Sequence, residues 1–348
     1  MRIEGLQTYS EVIAYLEKKK RNYHLLFGNG FSMAYDPKIF SYNALSDFIE
    51  NTKDEFLHKL FEVANTKNFE LIMQQLDNFV EIAKVFGIDE NFISKIVEAN
   101  TTLKNSLIEA VKELHPEHVF IVEESRSKKC HIFLDNFLSK GGKIFSTNYD
   151  LLMYWVLMRN SSKWAIDGFG RELLNPEELK RGEEAEWSEL IWGVNKEKQN
   201  IFYLHGTLPI FDTGTEIVKE EYDSRHYLLQ KISEKMEARS YPIFVTAGNA
   251  QEKLNQIAHN KYLAFCYDKF SNIEGSLIVF GFNFGEYDLH IIDAINKACN
   301  QGLKGAEILR SVYIGVYSDE SLDYLESIKE KFRCKVNFFN ARTVKIWD

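Results

Sequence analysis

Cysteine is scarce in this 348-residue chain: Cys130, Cys266, Cys299 and Cys334 stand far apart, and no pair has Cys-x-x-Cys spacing. A zinc ribbon or dithiol redox motif is therefore excluded, and no disulfide framework is suggested; reduced thiols in a cytoplasmic protein are expected. Proline is nearly as rare, with 5 residues in the whole chain. No apolar run approaches the roughly 18 residues of a membrane span. The opening Met-Arg-Ile-Glu-Gly-Leu-Gln lacks the charged-then-apolar layout of a secretory leader. Basic charge is also in deficit, with 42 Lys and Arg against 51 Asp and Glu, a net −9. Broad electrostatic binding to nucleic acid or to an anionic membrane is not expected. The run Lys18-Lys19-Lys20-Arg21 ends an amphipathic helix, where cations complement the helix dipole.

What the chain has is core-forming material. Hydrophobic residues make up 45% and aromatics 14%, including 26 Phe and 17 Tyr, and the length suits two domains or one large domain with an insertion. Periodicity predicts a helix over 10–20, a buried strand over 23–27, and successive helices over 56–64, 69–86, 92–114 and 119–138. Strand signals resume at 143–146 after Gly141-Gly142, followed by a helix over 151–158. The polar stretch 159–200 reads as a mobile or partly helical excursion. Further strands are expected at 201–204, 242–246, 276–280, 312–315 and 335–339. A hairpin is expected around Asp212-Thr213-Gly214-Thr215, with helices over 288–300 and 319–332. Alternating apolar strands and helices imply an α/β fold: a Rossmann-like, doubly wound, mostly parallel sheet. Residues 1–42 and 141–348 would form that domain, and 43–140 a large α-helical insertion acting as a lid or oligomer interface.

In such sheets ligands bind at the carboxyl ends of the strands, and the unusual polar residues fall there. Gly28-Asn29-Gly30-Phe31-Ser32 follows the first long strand and has the layout of a phosphate loop, with Ser32 as a further donor. The plain alternative is a strand-to-helix turn that needs glycine for its backbone angles. Thr147-Asn148-Tyr149-Asp150 ends the next strand. Asn148 suits orienting a ribose hydroxyl or water, and Asp150 suits holding a carboxamide or stabilising positive charge; helix capping explains Thr147 or Asp150 but not Asn148. His205 ends a Phe-Tyr-Leu-His strand beside Gly206, a setting for a general base. His24 reads as a packed strand residue, His115 and His118 as surface or cap residues, and His290 as a hydrogen-bonded structural residue. No histidine pair has metal-ligand spacing, so no metal is expected.

Taken in order, Gly28-Asn29-Gly30-Phe31-Ser32, Thr147-Asn148-Tyr149-Asp150, Leu204-His205-Gly206 and Gly281-Phe282-Asn283 resemble the motifs of the sirtuin-like superfamily. The run from Leu26 to Leu45, with Asp36-Pro37-Lys38-Ile39-Phe40-Ser41-Tyr42, is similar to an uncharacterised bacterial domain-of-unknown-function family grouped with sirtuin-like proteins. The resemblance extends over nearly the whole chain and implies an NAD site. Gly28, Asn29, Gly30, Phe31 and Ser32 would hold the phosphates. Thr147, Asn148, Tyr149 and Asp150 would line the nicotinamide and ribose pocket, with His205 as the catalytic histidine. Gly281, Phe282 and Asn283 would lie near the adenosine ribose.

The departures narrow that implication. Sirtuin deacylases carry a four-cysteine zinc ribbon and a Pro-Asp-Phe-Arg stretch, and this chain has neither. The Thr-Asn-Tyr-Asp form is similar to sirtuin-like effectors of bacterial antiphage defence, which cleave NAD without an acyl-lysine acceptor. Those proteins act as homo-oligomers or with a partner that senses infection. The expectation is an NAD glycohydrolase with Asn148, Asp150 and His205 as catalytic residues. The alternative is a non-enzymatic sensor that binds NAD or ADP-ribose and switches a partner.

Overall fold

The computed structural model describes residues 2–37, 55–64, 69–181, 183–222, 227–238, 240–245, 250–285, 288–300 and 308–348. A short edge strand, β1 (Gln7–Thr8), leads into helix α1 (Tyr9–Lys18). Thr8 fixes that start with a capping box: its hydroxyl accepts the Glu11 amide, and the Glu11 carboxylate accepts the Thr8 amide at 2.8 Å. Strand β2 (Tyr23–Phe27) is buried at all five positions, as a central strand covered on both faces must be. A single turn, α2 (Gly30–Met33), follows it.

Helices α3 (Glu55–Ala64), α4 (Phe69–Val85) and α5 (Glu90–Leu114) pack mainly on one another. Helix α6 (Glu124–Leu138) behaves differently. It lies on β2 and on β3 (Ile144–Ser146) through Phe133 and Phe137, the latter edge-on to Tyr23 at 5.5 Å. It is thus the crossover between two parallel strands, and the helices standing outside the sheet layers are α3 to α5.

After α7 (Leu152–Arg159) the structure departs from the sequence reading. The polar stretch 159–200 contains β4 (Phe169–Gly170), α8 (Pro176–Lys180) and β5 (Leu190–Trp192), and then β6 (Ile201–Tyr203) returns to the main sheet. Strands β4 and β5 join β7 (Gly206–Asp212), β8 (Ile217–Lys219) and β9 (Pro242–Phe244), which follows helix α9 (Leu228–Glu237), in a second sheet. Its order is β4-β5-β8-β7-β9, antiparallel throughout. Two corrections follow. Residues 159–200 are sheet-forming in part, because their few apolar side chains pair across strands too short to show a period. Strand β9 runs antiparallel to β7 and does not join the parallel sheet. Ala247-Gly248-Asn249, expected to follow it, lies outside the described residues, as do residues 38–54.

Helices α10 (Ala250–His259) and α11 (Lys261–Phe270) lead to β10 (Gly275–Phe280), α12 (Leu289–Asn300), β11 (Leu309–Val316), α13 (Asp319–Ile328) and β12 (Lys335–Asn340). The main sheet is parallel throughout, in the order β1-β12-β11-β10-β2-β3-β6. Apart from the edge strand β1, this is the strand order of a doubly wound dinucleotide-binding sheet. The Rossmann-like α/β expectation therefore holds. The order in which strands are added reverses between β2 and β10, so the crevice of such a fold opens at Gly28 and Gly281.

Candidate functional site

At this switch point the two glycine-bearing loops touch. Gly28 donates its amide to Phe280 O at 3.1 Å, and Gly30 donates to Gly281 O at 2.9 Å. A Cβ on Gly30 would lie 2.5 Å from Gly281 Cα, and one on Gly28 would lie 2.7 Å from the Phe282 ring. Gly281 itself has φ +63°. The glycines thus let two loops approach, and the Gly28 and Gly30 amides are spent on that contact. Phe31 is fully buried, stacked on Phe27 at 4.3 Å and lying 5.2 Å from Trp347, whose indole N–H donates to Phe31 O. Its side chain packs in the core. Asn29 is half-buried and Asn283 exposed. Gly30→Ala is expected to destabilise the fold by about 1–3 kcal/mol, as overpacking does. Urea denaturation would check it, and an unchanged midpoint would mean that the loops can separate freely.

Ser32, Asn148 and Asp150 converge one strand away. Asn148 Nδ2 donates to Ser32 Oγ at 2.8 Å and to Asp150 Oδ2 at 3.2 Å, and the Ser32 hydroxyl donates to the same carboxylate oxygen. The other oxygen, Oδ1, accepts the Leu152 amide at 2.9 Å, so Asp150 does cap α7 while also holding the polar group together. Thr147 and Asn148 are buried with it; the Thr147 amide donates to Phe27 O. His115, expected as a surface or cap residue, is the C-cap of α5 and is buried, and its Nε2 accepts the Leu151 amide at 2.9 Å.

His205 lies at the end of the neighbouring strand. The loops are tied together: Thr207 Oγ1 donates to Tyr149 O at 2.9 Å, Tyr149 Oη to Val245 O at 2.6 Å, and the Val245 amide to His205 O at 2.9 Å. His205 is 2% exposed, and its Nε2 stands 2.9 Å from His290 Nε2. Burial, followed by the neighbouring His290 and Lys253, holds its pKa well below the usual histidine value, so it is neutral at physiological pH. His290 is pushed down to about 3 by burial and Lys253.

A family profile for the Domain of unknown function (DUF4917) matches residues 25–347. The chain belongs to the DUF4917 family. No curated protein matches it significantly. The match to this family includes both glycine loops, the Asn148–Asp150 segment, His205 and the buried Trp347.

The structure of this DUF4917 chain adds residues that the motifs do not mark. Lys253 on α10 is completely buried, and its ammonium lies 2.7 Å from Asp288 Oδ1. Ligand atoms of His205, Asp288 and His290 lie within 4.8 Å of one another, as a cation would require. The Lys253 ammonium already supplies the positive charge that a metal would bring, so the group reads as a hydrogen-bonded and ionic cluster. Asp288 and His290 are close in sequence, which is a faint signal; nothing in the helical pattern of α10 singles out Lys253. A separate cavity of about 270 Å³ beside β6 is lined by Tyr154, Asp167, Tyr203 and Lys219, among others. Asp167 and Lys219 pair with each other there, and none of the motif residues reaches it. Among the described residues, no helix is long and apolar enough to cross a membrane.

Proposed function

We propose that this protein is an NAD glycohydrolase, releasing nicotinamide and ADP-ribose or its cyclic form, as an effector of antiphage defence. The observation that carries this reading is the gathering of Ser32, Asn148, Asp150 and His205 at the carboxyl ends of three adjacent strands beside the switch point. The similarity of the four motifs to sirtuin-like proteins supports the choice of NAD.

Cleaving the nicotinamide–ribose bond develops oxocarbenium character at the ribose, as in glycoside hydrolysis. Nicotinamide leaves as a neutral base and needs no strong acid. Asn148 orients the ribose or the water, Asp150 stabilises the developing positive charge, and neutral His205 takes the proton from water. Asn148, Asp150 and Ser32 satisfy one another, so NAD binding would exchange these hydrogen bonds for bonds to the nucleotide. With the Gly28 and Gly30 amides already bonded, Asn29 and Ser32 are left as the phosphate-facing residues of the loop. Helices α3 to α5, which follow that loop, would serve as the lid or the oligomer interface.

The test is nicotinamide release from NAD by the purified chain. Wild type should turn over, and Asn148→Ala and His205→Ala should each lose about 10²–10⁴-fold in rate. A His205→Ala variant that retains most turnover would remove the base assignment. The second reading, a sensor that binds NAD or ADP-ribose without cleaving it, draws support from the burial of Asn148, Asp150 and His205. Binding by titration without nicotinamide release would select it, and no binding at all would end both readings.

A further inference from the structure

The contact between His205 and His290 has a proton count of its own. Two neutral imidazoles whose Nε2 atoms stand 2.9 Å apart share one N–H between them. If the proton is on His290 Nε2, then His205 carries its proton on Nδ1 and has no lone pair left to take another. If it is on His205 Nε2, then His205 Nδ1 is a free base and His290 carries its own proton on Nδ1. His290 Nδ1 is buried without a hydrogen-bond partner among the described residues. The second arrangement therefore leaves the His290 Nδ1–H as a buried donor without a partner, at a cost of about 1–3 kcal/mol. A pair kept only for packing would adopt the first, and only a His205 that must act as a base calls for the second.

We propose that His290 is the positioning residue for His205: it accepts the His205 Nε2 proton and thereby leaves His205 Nδ1 as the basic nitrogen. The inference rests on His205 being the base of the proposed reaction. In that step a water proton passes to His205 Nδ1, the water oxygen bonds to the ribose carbon, and the carbon–nitrogen bond pair leaves with nicotinamide. The resulting imidazolium keeps its Nε2–H on His290. The Asp288 carboxylate, within 4.8 Å of both rings, stabilises the positive charge, while Lys253 holds Asp288 in place from α10. Tyr267 on α11 fixes the backbone of His290 by donating its hydroxyl proton to His290 O at 2.7 Å. Lys253, Asp288 and Tyr267 are thus the charged and titratable groups that face the histidine pair from the packed elements.

The deciding experiment is a long-range ¹H–¹⁵N spectrum of the full chain with ¹⁵N-labelled histidine, assigned with His205→Gln and His290→Gln. It needs no substrate, so its outcome is independent of whether NAD is cleaved. His205 should be protonated on Nε2 in wild type and in His290→Gln, whose amide oxygen can accept the same proton. That tautomer should be lost in His290→Leu. In nicotinamide release, His290→Leu should lose about 10²-fold in kcat with little change in KM and a displaced acid limb of the pH profile, and His290→Gln should recover much of the rate. A wild-type His205 protonated on Nδ1 would overturn the proposal. So would an unaltered pH profile in His290→Leu, or zinc binding by wild type that His290→Leu abolishes. A wild type with the expected tautomer but no nicotinamide release would sink the glycohydrolase reading and leave the histidine pair standing.

Discussion

Acidification from pH 7 to pH 5 is expected to remove much of this protein's stability, well before ordinary carboxylates titrate. Among the described residues four histidines are buried: His24, His115, His205 and His290. Two of them use a ring nitrogen as acceptor for a backbone amide. His24 Nδ1 accepts from Lys143 N at 3.0 Å while its Nε2 faces Glu274 O, and His115 Nε2 accepts from Leu151 N while its Nδ1 faces Pro116 O at 2.8 Å. An imidazolium would set N–H against N–H at each. Burial accordingly pushes His24 down to about 4, with the Lys143 charge adding to it, and lowers His115 against the pull of Asp150. The His205–His290 pair resists protonation for the same reason.

The sign follows from linkage. A histidine whose folded pKa is depressed binds a proton in the unfolded chain first, so its stability is intact above about pH 6.5 and is lost as pH falls towards the folded value. Each such group contributes about 1.4 kcal/mol per pH unit in that window. Counting His24 and one proton for the pair gives a loss of about 4 kcal/mol by about pH 5, to which His115 adds in the same direction. That is a large part of the roughly 5–15 kcal/mol of a folded domain. Urea midpoints at pH 8, 6.5 and 5 would show the fall, and His24→Gln should make it shallower by about 2 kcal/mol. A flat profile between pH 7 and 5 would mean that these histidines do not stay neutral in the fold.

Gly206→Ala is expected to be the most damaging single-methyl change near the site. Gly206 has φ +78°, and a Cβ there would stand 1.8 Å from the carbonyl oxygen of Ile243 on β9. The clash is with backbone held in the β7–β9 pairing, so no side chain can swing aside. Left-handed strain of about 1–2 kcal/mol adds to an overpacking cost of about 1–3 kcal/mol. Gly214 is the internal control, with φ +86° in the β7–β8 turn and nothing within 4 Å of an added Cβ. Gly214→Ala should show the strain alone. Equal urea midpoints for the two variants would show that β9 yields, and the difference between them measures how firmly the strand behind His205 is held.

The same glycine marks the boundary between what sequence and tertiary structure each decide. The apolar run 23–27, the pattern over 276–280 and the alternation over 335–339 read directly as strands, because a buried parallel strand is hydrophobic at successive positions whatever its neighbours are. Glycine loops at strand ends and the Asn148–Asp150 pair were legible for a similar reason: their chemistry is local. The second sheet was not. Strands β4 and β5 have two and three residues, and their pairing comes from contacts with β8 across intervening chain. His290, Lys253 and Asp288 were hidden as partners of His205 because 85, 48 and 83 positions separate them from it along the sequence. Only the packing of α10 and α12 on each other, beside the residues that follow β6, brings those charges and rings together. The sequence by itself determined the α/β class and which residues stand at the carboxyl ends of the strands. Only the tertiary structure decided that the Gly28 and Gly30 amides bond to the carbonyls of Phe280 and Gly281 across the switch point and that His205 meets a second imidazole. Long-range hydrogen bonds and burial select those partners, and neither leaves a periodic trace in the chain.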